Sequence, residues 1–141
     1  MSSTTVATKP IVHTGLRIDI DGDAYEVTWD QTDEDGGLSA WQYAVDGYVE
    51  TIELPTLGMT LVVNDRENSA DEWAERLNPY ATRLRLQEIG RHGHPIADAV
   101  AGPVLVVSNR VTRHGDAIGL TGRQVAGLRR MIAVEQKRQR S

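Results

Sequence analysis

The chain has 141 residues with 40% apolar, 25% charged, no Cys and no Phe, and a formal charge of −5. That length suits one domain with an ordinary core, and the lack of Cys excludes disulfides and thiolate metal sites. No apolar run approaches the ~20 residues of a membrane span, and the N-terminus shows no signal-peptide core, so a soluble cytoplasmic protein with no membrane partner is expected. The net charge hides a division. Residues 1–75 hold sixteen Asp and Glu against three Lys and Arg, a formal −13, whereas residues 76–141 hold four against twelve, a formal +8. A charge split of this kind bears on partners, because an acidic surface repels or mimics nucleic acid and a basic one attracts phosphate.

Residues 1–13 are Ser/Thr-rich and aperiodic and read as a disordered tail. Leu16 to Ile20 and Ala24 to Trp29 alternate on either side of Asp21-Gly22-Asp23, a hairpin signal. Leu16, Ile18 and Ile20 share one face, and Tyr25, Val27 and Trp29 another. Asp30 to Gly37 is an acidic loop, so residues 14–37 form an acidic hairpin and loop. Leu38, Trp41, Gln42 and Val45 follow helical spacing, with Gly47 where a C-terminal cap belongs. Tyr48 to Leu54 reads as a strand stopped by Pro55. Thr56-Leu57-Gly58 turns the chain into a second strand, Met59 to Val63, antiparallel to the first.

Ser69 and Glu72 form a capping-box pattern ahead of Trp73, Ala74 and Leu77. Asn78 is placed to cap a helix with Pro79 at its first position. Tyr80 to Ile89 fits a helix, although Leu84 and Leu86 fit a strand start equally well. Gly90 to Pro95 is a loop, and Ile96 to Ala101 makes about one helical turn, ended by Gly102. Pro103 to Val107 is the most apolar strand and belongs at the centre of a sheet. Thr121 and Gln124 form another capping box, opening an amphipathic helix with Val125, Leu128, Met131 or Ile132, and Val134 inward. Lys137, Arg138 and Arg140 suit the negative end of its dipole. Residues 38–136 make the core domain, and residues 137–141 a basic tail. The expected fold is α+β: an N-terminal β-hairpin plus a small, mostly antiparallel sheet packed with short helices and a C-terminal amphipathic helix.

Few residues suggest chemistry. His92, His94 and Asp98 carry metal-binding side chains, but their spacing is neither the i, i+4 pair of a helical site nor a four-ligand structural set. His114 and Asp116 next to Arg110 and Arg113 form half of an acid–base arrangement, without a nucleophile in a strained elbow. The glycines of the second half lack the Gly-Lys-Ser/Thr of a phosphate loop. No catalytic residue, metal or cofactor is therefore expected. Tyr48 and Glu50, at i and i+2, share one strand face, and Asn64 reaches their end of the strand in one register only. The Arg residues of the second half have no aromatic residues interleaved for base stacking. Pairing of these Arg with the acidic hairpin, within a subunit or between two, is the leading account of the charge split, ahead of nucleic-acid binding.

In order along the chain stand Leu38 to Val45, Asp46-Gly47-Tyr48-Val49-Glu50, Met59-Thr60-Leu61-Val62-Val63-Asn64, Leu77-Asn78, Ala101-Gly102-Pro103-Val104-Leu105-Val106-Val107 and Leu120-Thr121. With these, residues 38–131, about two thirds of the chain, resemble an uncharacterised family of phages, prophages, plasmids and bacterial genomes, domain of unknown function 3846. This chain has Asp46 where that family's pattern has the first Gly of a pair. A longer insert containing Arg and His separates Asn78 from Gly102, and the first 37 residues lie outside the pattern. The resemblance implies an α+β fold and a mobile-element context in a bacterial host cell, with no activity attached.

The functional expectation is a small non-enzymatic accessory protein that binds a host protein or a nucleotide-like signal, for host interaction or counter-defence. The alternative is a nucleic-acid-binding accessory protein that uses the Arg-rich half. Tyr48, Glu50, Asn64, Asn78, Arg110 and Arg113 are the expected ligand- or partner-binding residues. The opposed charges of the two halves also predict a homo-oligomer.

Overall fold

A computed structural model describes residues 11–69, 76–94, 97–113, 115 and 117–140. Five strands, β1 (Val12–Ile18), β2 (Ala24–Asp30), β3 (Val49–Leu54), β4 (Met59–Asn64) and β5 (Val104–Ser108), form one sheet in the order β2-β1-β5-β4-β3. Every neighbouring pair is antiparallel. The helices are α1 (Leu38–Val45), α2 (Pro79–Ile89), followed by a 3₁₀ turn at Gly90–His92, and α3 (Gly122–Arg140). The α+β expectation is met, with α1 on one face of the sheet and α2 and α3 on the other.

Alternation along the strands builds both faces. Leu16 and Ile18 of β1, Leu61 and Val63 of β4, and Val104 and Val106 of β5 turn toward α2 and α3. There they meet Tyr80, Ala81 and Leu84, and Val125, Leu128 and Ile132. Val62, Leu105 and Val107 turn the other way, onto Ala44 and Val45 of α1 and onto Trp29. Trp29 meets Trp41 edge-on at 5.7 Å between ring centroids. With helices on both sides, β5 is buried at all five positions. This is why its sequence reads as a continuous apolar run rather than an alternation.

Several local expectations change. The first strand starts at Val12, inside the proposed tail, because His13 pairs with Trp29 and Val12 with Asp30 in the hairpin ladder. The hairpin is also no appendage to a core starting at residue 38. β1 lies between β2 and β5, pairing Leu16 with Val106, and supplies two of the fully buried core residues. Tyr80 to Ile89 is helical, since Asn78 accepts from the Tyr80 and Ala81 N–H groups and Pro79 takes the first turn. Val100 and Ala101 are not helical: Asn78 donates its N–H to the Val100 carbonyl, and Leu77 bridges Ala101. In α3 the inward positions are Val125, Leu128, Ile132 and Glu135, so Val134, one position off that stripe, is exposed. Glu135 is tolerated there because Arg83 of α2 donates to it at 2.8 Å. The Ser69–Glu72 capping box falls largely outside the described residues. No helix among the described residues is long and apolar enough to cross a membrane.

Candidate interaction surface at the end of α1

The C-terminal cap of α1 organises this end of the molecule. Asp46 adopts the left-handed conformation with φ 62°, the only non-glycine residue among those described to do so. Its N–H reaches the Tyr43 carbonyl, and the Gly47 N–H reaches the Gln42 carbonyl, which satisfies carbonyls that the helix end would leave orphaned. The sequence places this cap one residue later, at Gly47. Gly47 is needed for a different reason: a Cβ there would meet Asn64 Nδ2 at 2.8 Å. The departure from the family-like Gly-Gly pair thus sits at the one position where Gly would relieve backbone strain.

Side chains from two strands hold the helix end in place. Asn64, buried at the end of β4, donates Nδ2 to the Val45 carbonyl at 2.9 Å and accepts the Glu67 N–H on Oδ1 at 2.9 Å. Arg17 of β1 donates Nε to the Ala44 carbonyl at 2.7 Å. Its guanidinium also reaches Asp19 at 3.2 Å and Asp46 at 3.8 Å, and lies over the Tyr25 ring at 5.2 Å. At the other end of α1, the Asp35 carboxyl accepts from the Ser39 hydroxyl and the Gly37 N–H, and these bonds hold it below its ordinary value. With both ends tied, α1 presents Tyr43 at 85% exposure, and Tyr48 follows the cap at 81%. Asp46, Glu50 and Asp65 are exposed around them, and the Asp65 N–H donates to the Tyr48 carbonyl at 2.9 Å.

A match described as Domain of unknown function (DUF3846) covers residues 13–133. The chain belongs to this family. The DUF3846 region therefore begins in β1 rather than at residue 38, and ends in α3, so the acidic hairpin lies within the family's own domain. The chain matches no curated protein and no solved structure.

Within this DUF3846 fold the expected site residues separate into three kinds. Tyr48 and Glu50 are exposed, and the register brings Asn64 opposite Val49, beside them. Asn64 itself is a structural tie, as described. Asn78 is fully buried and uses its whole hydrogen-bonding capacity. Its Nδ2 donates to the Ile18 and Gly102 carbonyls at 3.0 Å each, and Oδ1 caps α2. It is not available to a ligand. Arg110 and Arg113 are exposed but lie beyond Ser108, which pairs with Met59. They sit at the opposite end of β4 from Asn64, about 17 Å along a six-residue strand, so they do not join the tyrosines. Tyr43, Asp46 and Arg17 were missed by the sequence reading. The available signal was an aromatic residue on the outward side of a short helix, two positions before its end.

Of the other candidate groups, His94 and Asp98 are engaged locally. His94 accepts the Ala97 N–H on Nδ1, while Asp98 accepts the His94 N–H at 2.8 Å and faces Arg85 at 3.8 Å. Among the described residues no three metal-binding side chains come together. His114 and Asp116 lie outside the described residues.

The charge split survives folding. Of the ion pairs among the described residues, only Arg76–Glu67 joins the acidic half to the basic half. Neutralisation of the hairpin by ion pairing with the Arg-rich half of the same subunit, half of the leading sequence account, is not seen there. The physical reason is the direction of α3: its cations Arg123, Arg130 and Lys137 recur every seven residues opposite the buried stripe and face outward.

Proposed function

We propose that this DUF3846 protein is a small non-enzymatic accessory protein of a phage or other mobile element that binds a host protein through the Tyr43–Tyr48 surface. One observation carries the reading. Two tyrosines, the most exposed large hydrophobic residues among those described, flank a strained Asp46 and stand within a rim of carboxylates. Tyrosine gives a large contact area at low entropic cost and is enriched where binding energy concentrates. Strain at an exposed non-glycine residue accords with a binding role. The mobile-element setting comes from the family resemblance. A nucleotide-like signal is the smaller ligand that the same surface would take, by stacking on tyrosine. The test is affinity capture from host lysate with quantitative mass spectrometry, comparing the native chain with a Tyr43→Ala/Tyr48→Ala double variant. A stoichiometric host protein or bound small molecule that disappears with the variant is expected; recovery of neither would end this reading.

A second reading, nucleic-acid binding, is favoured by α3 alone. Arg123, Arg130 and Lys137 lie about 10.5 Å apart along its outward side, and its single carboxylate, Glu135, turns inward. No aromatic residue accompanies them in α3, so contact would be with phosphates rather than bases. A gel-shift titration decides it: no binding even near 50 mM salt, where counterion release favours it most, removes this reading.

A further inference from the structure

We propose that the free edge of β3 receives a basic, extended segment of the partner protein as a sixth strand. The proposal rests on the protein-binding reading above and names the chemistry of the partner. Among the described residues β3 ends the sheet and pairs only with β4. Its register with β4, together with the Asp65 to Tyr48 bond, puts Glu50, Ile52 and Leu54 in the hydrogen-bonded pairs. The N–H and C=O groups of Val49, Thr51 and Glu53 therefore point away from the sheet. Among the described residues no backbone bond outside the ladder reaches these three. The other edge is partly closed, because Arg129 of α3 donates to the Ala24 carbonyl of β2 at 3.3 Å.

Beside the β3 edge lies a cleft of about 340 Å³ lined by Glu50, Ile52, Val63, Arg85, Ala97 and Ala99. Ile52, Val63 and the two alanines give it an apolar side, Asn68 and Glu50 a polar one, and Arg85 faces Asp98 at 3.8 Å. Glu50 has no side-chain partner among the described residues and sits at the open side. That combination suits a Lys or Arg on the incoming strand, its stem on Ile52 and the alanines and its charge at Glu50. Every ionisable residue of β3 is an acid, and Asp46 and Asp65 stand near its start, so the field attracts a basic segment. A second copy of β3 is a poor occupant, because its glutamates would face these across the new ladder. Strand addition supplies main-chain bonds for affinity, and the cleft supplies a side-chain choice.

The test uses the ¹⁵N-labelled full chain and capped peptides of about eight residues alternating Lys and Val, Glu and Val, or Lys and N-methyl-Val. Expected are saturable shifts centred on residues 49–54 with the Lys peptide, and amide exchange of Thr51 and Glu53 slowed about tenfold when it is bound. The Glu and N-methyl peptides produce neither effect. A Glu50→Lys variant, whose side chain is exposed and bonded to nothing among the described residues, weakens the Lys peptide at least about tenfold. Thr51→Pro removes one outward N–H, costs no bond to β4 and has the same effect.

Shifts confined to α3, equal response to the Glu peptide, or binding without amide protection would each overturn the proposal. So would concentration-dependent protection of the same amides without peptide, which would make the occupant a second copy. If the Lys peptide fails while Tyr43→Ala/Tyr48→Ala still abolishes the host complex, the strand proposal falls and the function proposed above stands.

Discussion

Replacing Asn78 tests the fold where α2, β1 and the entry to β5 are tied together. Asn78→Ala removes two bonds to the Ile18 and Gly102 carbonyls and two from the Tyr80 and Ala81 N–H groups. The side chain is 0% exposed, so water does not simply take its place. At about 1 kcal/mol per lost bond, with some relaxation of the stranded groups, the expected cost is roughly 3–5 kcal/mol. For a chain of this size about 3 °C is lost per kcal/mol, which predicts a fall in Tm of roughly 10–15 °C. Asn78→Ser keeps an oxygen for the α2 cap and recovers about 1 kcal/mol, but leaves both carbonyls without their donor. Urea unfolding followed by tryptophan fluorescence measures all three proteins, since Trp29 and Trp41 lie against the sheet. An unchanged m-value keeps the comparison two-state. An Ala cost below about 1.5 kcal/mol, or a Ser variant equal to the native chain, would refute the assignment of Asn78 as a four-bond tie.

The remaining predictions concern single features. Asp46→Gly relieves the left-handed strain at φ 62° and, after the entropy that Gly adds to the unfolded chain, raises stability by about 0.5 kcal/mol, read as a higher urea midpoint. Burial, then Glu135 and Asp21, push the Tyr80 hydroxyl above its ordinary value of 10.0. The folded state thus holds that proton more tightly, and stability present below pH 10 is lost as pH rises through the folded value. Tyr80→Phe flattens this alkaline decline in a midpoint series from neutral pH upward, and an unchanged slope contradicts it. Arg83→Leu leaves buried Glu135 without its 2.8 Å donor and costs about 1–2 kcal/mol by the same unfolding assay. Tyr43→Ala/Tyr48→Ala changes stability by less than about 0.5 kcal/mol, since both rings stand in solvent, while removing partner binding.

Much of this fold is legible locally. The Asn78-Pro79 start of α2 and the Thr121/Gln124 box opening α3 are short-range hydrogen-bond patterns, and both form as the sequence reads. The hairpin at Asp21-Gly22-Asp23, the β3–β4 pair and the central place of β5 follow from alternation and apolar content. Other features depend on contacts between residues far apart in the chain. The pairing of Leu16 with Val106 makes the acidic hairpin part of the sheet. It also brings Ile18 to Asn78, so that an Asn readable as a ligand contact becomes a buried tie. Placement of Glu135 rather than Val134 on the inward side of α3 depends on Arg83 arriving from another helix.

The sequence by itself determined the α+β class, the starts of α2 and α3 and the segregation of charge, because each is set by residue type or by neighbours within a few positions. Only the tertiary structure decided which polar residues are consumed by the fold and which stay free. That choice depends on which distant backbone groups need partners. It took Asn64 and Asn78 into the interior and left Tyr43, Tyr48 and Glu50 facing solvent beside an open strand edge.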